Sequence, residues 1–563
     1  MKKVFYFMLI SLIILALAAC TDDGNVEEEA SGTEGDDANS EEAGGGDLTV
    51  AIPSDVVSLD PHGSNDDPSE QLRDVVYEGL LTQDENLEIV GQLAEEWEQI
   101  DELTWEFTLR ENVTFHDGSE FNAEVVEANI DRIQDPAVAS PREFLLEMIE
   151  EVEIIDDYTI RLVTEYPYAP LLSNLTHGAG KFISKDLIDE DYENAISESD
   201  ESITLEEYYE ARGTGGDEFE DMANSISSGT GTIVEQNPVG TGYFQFESRS
   251  PGENTVFTKY EEYWEEPADL DSVTFKVVTE VGSRLAELET GASDFVVNVQ
   301  SANIDRVENI DSVTLERNEA LSVDYIGFNT QKAPFNDPLV RQAMTHAFDN
   351  EAVLSGVYND SGSLAIGPIP PGILGYSDDI EGLDYNMDRA QELLDEAGHG
   401  DGFDVTLMVN EDNPERMDVA VYLQESLAEL DINISIEEVE WGAYLDATSN
   451  AEHEMFMLGW GNTTGDPDDG IMPMFHSNNT GSSGNRSFFQ NEQLDELLER
   501  GARETDEDSR QEIYEEATEL VVEEAPVIFV RHGEYLNAVN DNVEGLVIDN
   551  YNIFDFKNVT INE

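Results

Sequence analysis

Apolar and polar residues follow two periods along this chain, one typical of strands and one typical of helices. Residues 105–109 alternate apolar and polar at each position, as a half-buried strand does. Residues 69–81 carry four apolar residues at helical spacing. The same patterns predict strands over residues 48–52, 404–409, 433–439 and 454–460, and helices over residues 338–348, 388–397, 417–430, 491–503 and 509–523. Strands that alternate with helices predict a mixed α/β fold.

One region departs from both periods. Residues 198–232 are acidic and rich in Gly and Ser, which predicts a surface insertion with some helix near residues 205–212. The 516 residues from Leu48 onward are too many for one ordinary core, so we expect two or three domains.

The first twenty residues have the pattern of an export signal. Lys2 and Lys3 precede a mostly apolar run over residues 4–19, which is short for a membrane span. The run ends in Leu-Ala-Ala before Cys20, which resembles the lipobox of bacterial lipoproteins. The resemblance implies a signal peptide over residues 1–19 and lipidation of Cys20; the alternative is an ordinary free thiol. Cys20 is the single cysteine of the chain, so no intramolecular disulfide is expected.

The segment after Cys20 is predicted to be a flexible tether over residues 20–47. Residues 21–47 contain eleven acidic and no basic residues among Gly, Ser, Ala and Asn, too few apolar groups to offset the entropy of ordering. No later run is apolar enough for a membrane span. We therefore expect a protein anchored to the outer face of the cell membrane by a lipid, with its folded body in the medium.

The charge of the chain narrows the classes of partner. Asp and Glu number 126 and Lys and Arg 26, which gives a formal net charge of −100. This excludes a nucleic-acid binder that relies on phosphate contacts. Carboxylates occur throughout the chain after residue 20, so they are not one acidic tail. In molar salt the Debye length is about 3 Å and such charges no longer repel one another at range, so we interpret the composition as adaptation to very salty water.

The chain carries no recognisable catalytic motif. It lacks G-x-S-x-G, H-E-x-x-H and Walker sequences, and its eight histidines show no metal-ligand spacing. The Asp-Pro-Asp-Asp-Gly run at residues 466–470 lacks the spacing of an EF-hand calcium loop. We therefore predict a non-enzymatic protein with no catalytic residue, no metal site and no cofactor. An extracellular hydrolase that uses two of the many carboxylates remains a distant alternative.

Several strings, taken in order, resemble the family-5 extracellular solute-binding proteins of peptide and nickel ABC importers. They are SLDPHGS (58–64), VYEGLL (76–81), LAEEWE (93–98), WEFTLRENVTFHDGSEFNAEVV (105–126), NPVGTGYFQF (237–246), YIGFNTQKAPFNDPLVRQAMTHAFD (325–349), EWGAYL (440–445) and LGWGNTTGDPD (458–468).

The resemblance implies a two-lobed fold of the periplasmic-binding-protein type, in its large peptide-binding (type II) form with an extra subdomain in lobe one. Lobe one would span residues 48–320, including the insertion, and lobe two residues 321–535. Residues 536–563 would return to lobe one. Two crossings would form a hinge around a trapped ligand.

The resemblance also implies where the ligand binds. Relatives hold a peptide backbone by strand-like hydrogen bonds at the edge that Trp460 and Gly461 match here. Trp441 and Trp460 match aromatic positions of the cleft, although both could instead be core residues. Asn65, directly after the SLDPHGS string, is a further expected contact.

The charged groups for the ligand's termini depart from the family pattern. The Asp that pairs with the ligand's ammonium group in peptide receptors is Thr463 here. Either Asp466 replaces it, or the ligand is not an ordinary peptide; losing such a bond costs about 1.5–3 kcal/mol. Arg416 lies near the position of the Arg that holds the carboxylate, although it could instead pair with a neighbouring acidic residue.

The resemblance predicts a receptor that captures a peptide or peptide-like solute and delivers it to an ABC permease. The alternative within the same fold is a receptor for a nickel chelate, glutathione or another small solute.

Overall fold

The computed structural model describes residues 45–199, 203–411, 413–482 and 484–562. The predicted signal peptide, Cys20 and residues 20–44 of the predicted tether lie outside these ranges. No helix among the described residues has the length and apolarity needed to cross a lipid bilayer.

Strands and helices alternate along the described chain, which confirms the mixed α/β class. The strands are β1 (Asp47–Ile52), β2 (Leu81–Gln83), β3 (Ile89–Gly91), β4 (Ala94–Gln99), β5 (Thr104–Leu109), β6 (Ile149–Asp156), β7 (Thr159–Thr164), β8 (Phe244–Ser250), β9 (Asn254–Lys259), β10 (Ser272–Val277), β11 (Phe295–Val296), β12 (Val313–Phe328), β13 (Ser363–Leu364), β14 (Asp404–Asn410), β15 (Asn433–Val439), β16 (Met455–Gly461), β17 (Val527–Asn540), β18 (Val543–Glu544), β19 (Val547–Ile548), β20 (Phe554–Asp555) and β21 (Thr560–Ile561).

The helices are α1 (Asp67–Arg73), α2 (Ala123–Ile133), α3 (Leu171–Asn174), α4 (Lys185–Glu198), α5 (Leu205–Thr214), α6 (Asp217–Ile226), α7 (Thr232–Gln236), α8 (Val281–Thr290), α9 (Ile304–Glu308), α10 (Pro338–His346), α11 (Asn350–Gly356), α12 (Met387–Glu396), α13 (Pro414–Ala428), α14 (Trp441–Ser449), α15 (Pro467–Phe475), α16 (Glu492–Arg503) and α17 (Glu507–Glu524). Three of them, α10, α13 and α15, begin with an Asp or Asn cap followed by Pro. The cap accepts backbone N–H groups of the first turn, and Pro at the first position needs no acceptor.

The largest sheet has eleven strands and runs through both halves of the molecule. Its order is β15-β14-β16-β12-β17-β11-β1-β10-β9-β8, with β13 paired to β17. The two longest strands, β12 and β17, are antiparallel neighbours at its centre. A smaller sheet, β4-β5-β7-β6, packs on the first half.

Separate apolar cores lie on the two sides of this central pair. One core draws on residues 48–297 and 539–559. Two others draw on residues 321–530. The pairing of β12 with β17 shifts register between Glu319 and Val323, where the chain passes from one set of cores to the other. The lobe boundaries at residues 320 and 535 stay a prediction.

Two segments differ from their predicted structure. The helix predicted over residues 69–81 ends at Arg73, and the apolar residues Leu72, Val75, Val76 and Leu80 are all buried. They face the core on every side because this segment crosses it, so their spacing does not mark one face of a helix. The insertion at residues 198–232 contains more helix than predicted, in α5 and α6, and Tyr208 anchors it with a hydrogen bond to Asp135.

A buried ion pair holds the loop of the SLDPHGS string. The Arg132 guanidinium donates to both carboxylate oxygens of Asp60, at 3.0 and 2.5 Å. Burial, the largest single influence, would raise the pKa of Asp60, but the charge and hydrogen bonds of Arg132 act together with the hydrogen bond from the His62 N–H and lower that pKa. His62 lies 2.7 Å from the same guanidinium, and burial and Arg132 lower its pKa to about 3, so the ring is neutral. These residues are structural and do not line the cavity described below.

We expect the Arg132→Leu substitution to destabilise the protein by about 3–5 kcal/mol, because it leaves the Asp60 carboxylate buried without its counter-charge. A lower midpoint of urea-induced unfolding would show this. The matched control is Arg306→Leu, which removes an exposed pair with Glu289 and should cost less than about 1 kcal/mol. Equal midpoints for the two variants would contradict the prediction.

Candidate functional site

A cavity of about 1180 Å³ lies between the two halves of the molecule. One wall comes from the first half and includes Asn65, Arg142, Phe144, Tyr166, His177 and Lys181. The opposite wall comes from the end of β16 and the start of α15 and includes Gly459, Trp460, Gly461, Thr463, Asp468 and Asp469. Leu321 and Tyr535, next to the register shift between β12 and β17, close its base. The volume suits a ligand of peptide size.

The end of β16 presents a free strand edge to this cavity. On one side β16 pairs with β12 as far as Gly461. On the other side β14 pairs only with Met455 and Phe456. The Tyr444 hydroxyl then bonds the backbone of Met457, donating to its carbonyl (2.7 Å) and accepting from its N–H (3.1 Å). Beyond Tyr444 no strand among the described residues covers this edge.

Strand geometry decides which backbone groups are free. Successive residues direct their N–H and C=O groups to opposite edges, so Gly459 and Gly461 face the same way as Met457. A side chain at Gly459 would lie 2.9 Å from the Asp324 carboxylate, whereas the space around Gly461 is open. Two glycines thus expose backbone donors and acceptors to the cavity.

Trp460 lies between these glycines and lines the cavity, as predicted. Its indole Nε1 donates to the Asp469 carbonyl at 2.7 Å, which joins the end of β16 to the first turn of α15. Asn65 and Gly461 also line the cavity. These three predicted residues therefore lie around one space, and their contacts with a ligand stay a prediction.

The other three predicted residues do not line the cavity. Trp441 is 40% exposed and stacks on Tyr444, with ring centroids 5.8 Å apart. Arg416 lies behind the strand edge, with Nη2 3.6 Å from the Cβ position of Gly459, and its Nη1 donates to Asn410.

Asp466 is buried in a bidentate ion pair. Arg510 donates to its two carboxylate oxygens at 2.7 and 2.6 Å, and the same carboxylate caps α15 by accepting the Asp468 N–H. The expectation that Asp466 meets a ligand ammonium group does not fit this geometry, because the carboxylate faces Arg510 and not the cavity. The Asp-Pro pair that opens α15 is an N-cap signal, and it could have indicated this role.

Asp469, which sequence reasoning missed, lies beside Thr463, the residue that stands at the position of the family's Asp. Its Oδ2 accepts the Thr463 N–H at 2.6 Å and the Thr463 hydroxyl at 3.0 Å. Its Oδ1 accepts no hydrogen bond from the described residues. Burial raises the pKa of this carboxyl, and the bonds from Thr463 oppose the rise. A carboxylate beside Thr463 is therefore available to a cation in the cavity.

Two further carboxyl groups in the cavity have perturbed acidity. Burial, followed by the nearby Asp466 charge, raises the pKa of Asp468 to about 7. Burial likewise raises the pKa of Asp549 to about 7. No group of three or more His, Cys, Asp or Glu side chains among the described residues is arranged to hold a metal ion.

An α/β protein with two halves around a peptide-sized cavity and a free strand edge is a two-lobed binding protein. The family model of the bacterial extracellular solute-binding proteins, family 5, matches residues 88–482. The chain belongs to this family, which confirms the resemblance drawn from the sequence strings.

Individual relatives cover nearly the whole chain. The dipeptide-binding protein of Escherichia coli K12 is 29% identical over 496 residues, or 84% of this chain and 86% of that protein. The glutathione-binding protein GsiB of Salmonella typhi is 28% identical over 513 residues, or 89% and 92%. The solved structure of the periplasmic binding protein DppA from Helicobacter pylori, in complex with the peptide STSA, aligns with a TM-score of 0.74 at 27% identity, and the alignment covers 93% of this chain and 99% of that one.

We expect the Asp468→Asn substitution to stabilise the ligand-free protein increasingly as the pH rises. A carboxyl with a raised pKa in the folded state contributes less stability as the pH passes from its unfolded value toward about 7, whereas Asn stays neutral. The difference in Tm, variant minus wild type, should therefore grow between about pH 5 and about pH 8.

Asp506→Asn is the control for this experiment. Hydrogen bonds from Ser509 lower the pKa of Asp506 in the folded state, so its carboxylate adds stability above its unfolded pKa. Removing that carboxylate should therefore lower Tm above the unfolded pKa, whereas Asp468→Asn should raise it. A pH-independent difference for Asp468→Asn would contradict the buried location of that carboxyl.

Proposed function

We propose that this protein is a receptor for short peptides that passes its ligand to an ABC permease and catalyses no reaction. The observation that carries the proposal is the free edge of β16 at Gly459 and Gly461, next to an available carboxylate at Asp469. Relatives named for dipeptide and glutathione binding support a peptide as the ligand.

The strand edge accounts for binding of the peptide backbone. A peptide in extended form adds to an exposed edge through main-chain hydrogen bonds, which do not depend on its side chains. Glycines at 459 and 461 allow close approach of that backbone. Trp460 would pack against the ligand between the two glycines.

Asp469 accounts for recognition of the free amino terminus. Thr463 fixes one oxygen of this carboxylate through two hydrogen bonds and leaves the other to an incoming cation. The ammonium group would form a charge-assisted bond with it. In this proposal Asp469 takes the part that we expected of Asp466.

We expect Asp469→Asn to weaken the binding of the dipeptide Met-Leu by about ten- to a hundredfold, because a charge-assisted bond worth about 1.5–3 kcal/mol is lost. Isothermal titration calorimetry in concentrated salt measures the effect. N-acetyl-Met-Leu, which has no ammonium group, should bind wild type and variant equally weakly.

Two outcomes would contradict this assignment. Wild-type protein that binds neither Met-Leu, STSA nor glutathione would count against a peptide receptor. A variant that still prefers Met-Leu over its N-acetyl form by the wild-type factor would show that another group holds the ammonium.

Glutathione is the second candidate ligand. The similarity to GsiB over 513 residues favours it, and glutathione offers the same ammonium, peptide and carboxylate groups as a short peptide. Titration with glutathione beside Met-Leu under identical conditions ranks the two ligands by affinity, and the one that binds more tightly is the better candidate.

The N-terminal sequence supports a place for this receptor at the cell surface. We propose that the signal peptide is removed before Cys20, that a lipid on its sulfur anchors the protein, and that the segment from Cys20 to the start of β1 acts as a tether. The predicted end of the tether at residue 47 is too late, because Asp47 already belongs to β1 and pairs with Ser272. Anchoring keeps a receptor close to a permease in the same membrane. The lipobox-like sequence before Cys20 supports the lipid anchor, and the acidic segment that follows it supports the tether.

We also propose that the protein is adapted to high salt, and we expect its Tm to rise steeply with KCl concentration. With a net charge of −100, repulsion between carboxylates opposes folding most strongly at about 0.01 M salt, where the Debye length is about 30 Å, and much less at about 1 M, where it is about 3 Å. Calorimetric scans across this range test it. Sucrose, which has no charge, is the control and should not reproduce the low-salt part of the rise.

A further inference from the structure

Positive charges are scarce in this protein, and nearly all of those described have a partner. Against 126 acidic residues there are 26 Lys and Arg. Ion pairs bind Arg132 to Asp60, Arg510 to Asp466 and Lys181 to Asp74. Five further Lys and Arg residues among those described form no ion pair, and each of them either has a neutral partner or faces solvent. Four donate hydrogen bonds to uncharged oxygens, namely Lys332, Arg284, Arg416 and Arg486. The fifth, Arg500, is exposed on α16.

Arg142 is the exception, and it lines the cavity. It directly precedes a short turn whose residues Leu145 and Leu146 are buried in the core of the first half. Its guanidinium forms no ion pair and no hydrogen bond with any described residue. Its Nε is shielded from solvent and lacks an acceptor.

This arrangement leaves the guanidinium of Arg142 free to bond an acceptor from outside the protein. A shielded donor without a partner is unfavourable, and more so when it is charged. The guanidinium group matches a carboxylate through two parallel hydrogen bonds. In a protein so rich in carboxylates, an arginine left without one inside the cavity is available to an anionic group of the ligand.

Arg142 lies on the wall opposite Asp469, within electrostatic reach of it. Burial raises the pKa of Asp469, whereas the bonds from Thr463 and the charge of Arg142 lower it. Burial also raises the pKa of Asp67, on the same wall as Arg142, and Arg142 opposes that rise. A cation site and an anion site therefore face each other across the cavity.

We propose that Arg142 binds the free carboxylate of the ligand, so that the two termini of a short peptide are held by opposite walls. This inference rests on the proposed function and adds the substrate class: di- or tripeptides, or similar zwitterions, with a free carboxyl terminus. An extended nonapeptide spans about 30 Å. Both groups line one cavity of about 1180 Å³, which is too small for a nonapeptide to lie extended between them.

The position of Arg142 also links recognition of the ligand to closure of the two halves around it. A ligand that bonds Asp469 on one wall and Arg142 on the other links the two halves directly. A ligand that lacks either charge leaves one wall without its bond. Differential contact of this kind is what shifts a receptor toward its closed state.

The experiment compares Met-Leu with its C-terminal amide, which lacks the negative charge. Calorimetry on the intact protein in concentrated salt should show that wild type prefers the free acid by about ten- to a hundredfold. The Arg142→Gln variant should lose that preference and bind the acid as weakly as wild type binds the amide. Arg500→Gln, which removes an exposed arginine outside the cavity, should retain it.

Each outcome separates this inference from the proposed function. Wild type that binds acid and amide equally, or an Arg142→Gln variant that keeps the preference, overturns the role of Arg142 while peptide binding stands. Wild type that binds neither form, and neither STSA nor glutathione, overturns both. The wild-type comparison needs no substitution, and circular dichroism with a Tm measurement verifies that each variant folds.

Discussion

The antiparallel pairing of β12 with β17 is the interaction on which the rest of the structure depends. These strands connect a sheet whose two ends belong to different apolar cores. Their register shifts near Glu319 and Val323, where the backbone passes between the cores. The cavity opens beside this point. Two strands that are continuous through both halves therefore set how the two walls of the cavity face each other.

Charge is the second constraint, and it acts through the placement of a few cations. With so many carboxylates, each buried one needs a specific partner, as Asp60 and Asp466 have in Arg132 and Arg510. These pairs fix loops that support the cavity without entering it. Asp469 on one wall of the cavity and Arg142 on the other form no ion pair, and we propose them as the contacts of the ligand's charged termini. In our proposals, the same scarcity of positive charges underlies both the dependence of stability on salt and the two opposed charges that hold a zwitterionic ligand.

The regular elements were largely predictable from local pattern. The strand over residues 433–439 matches β15, and the helix over residues 491–503 matches α16 within one residue, because each has one buried and one exposed face. The helix over residues 69–81 was predicted too long because its apolar residues are buried on every side and lose the periodic signal. The insertion was predicted with too little helix, since contacts such as that of Tyr208 with Asp135 come from tertiary packing.

The sequence by itself determined the α/β class, the family, and the segment around Trp460 that forms one wall of the cavity. Those properties rest on local periodicity and on strings of neighbouring residues. Only the tertiary structure decided which charges face the cavity. Asp466 and Asp469 are three residues apart at the start of one helix, yet Arg510, forty-four residues further along the chain, takes the first and leaves the second. Arg142 is distinguished by the absence of a partner among the described residues. Such pairing depends on distances in space, which the linear sequence does not contain.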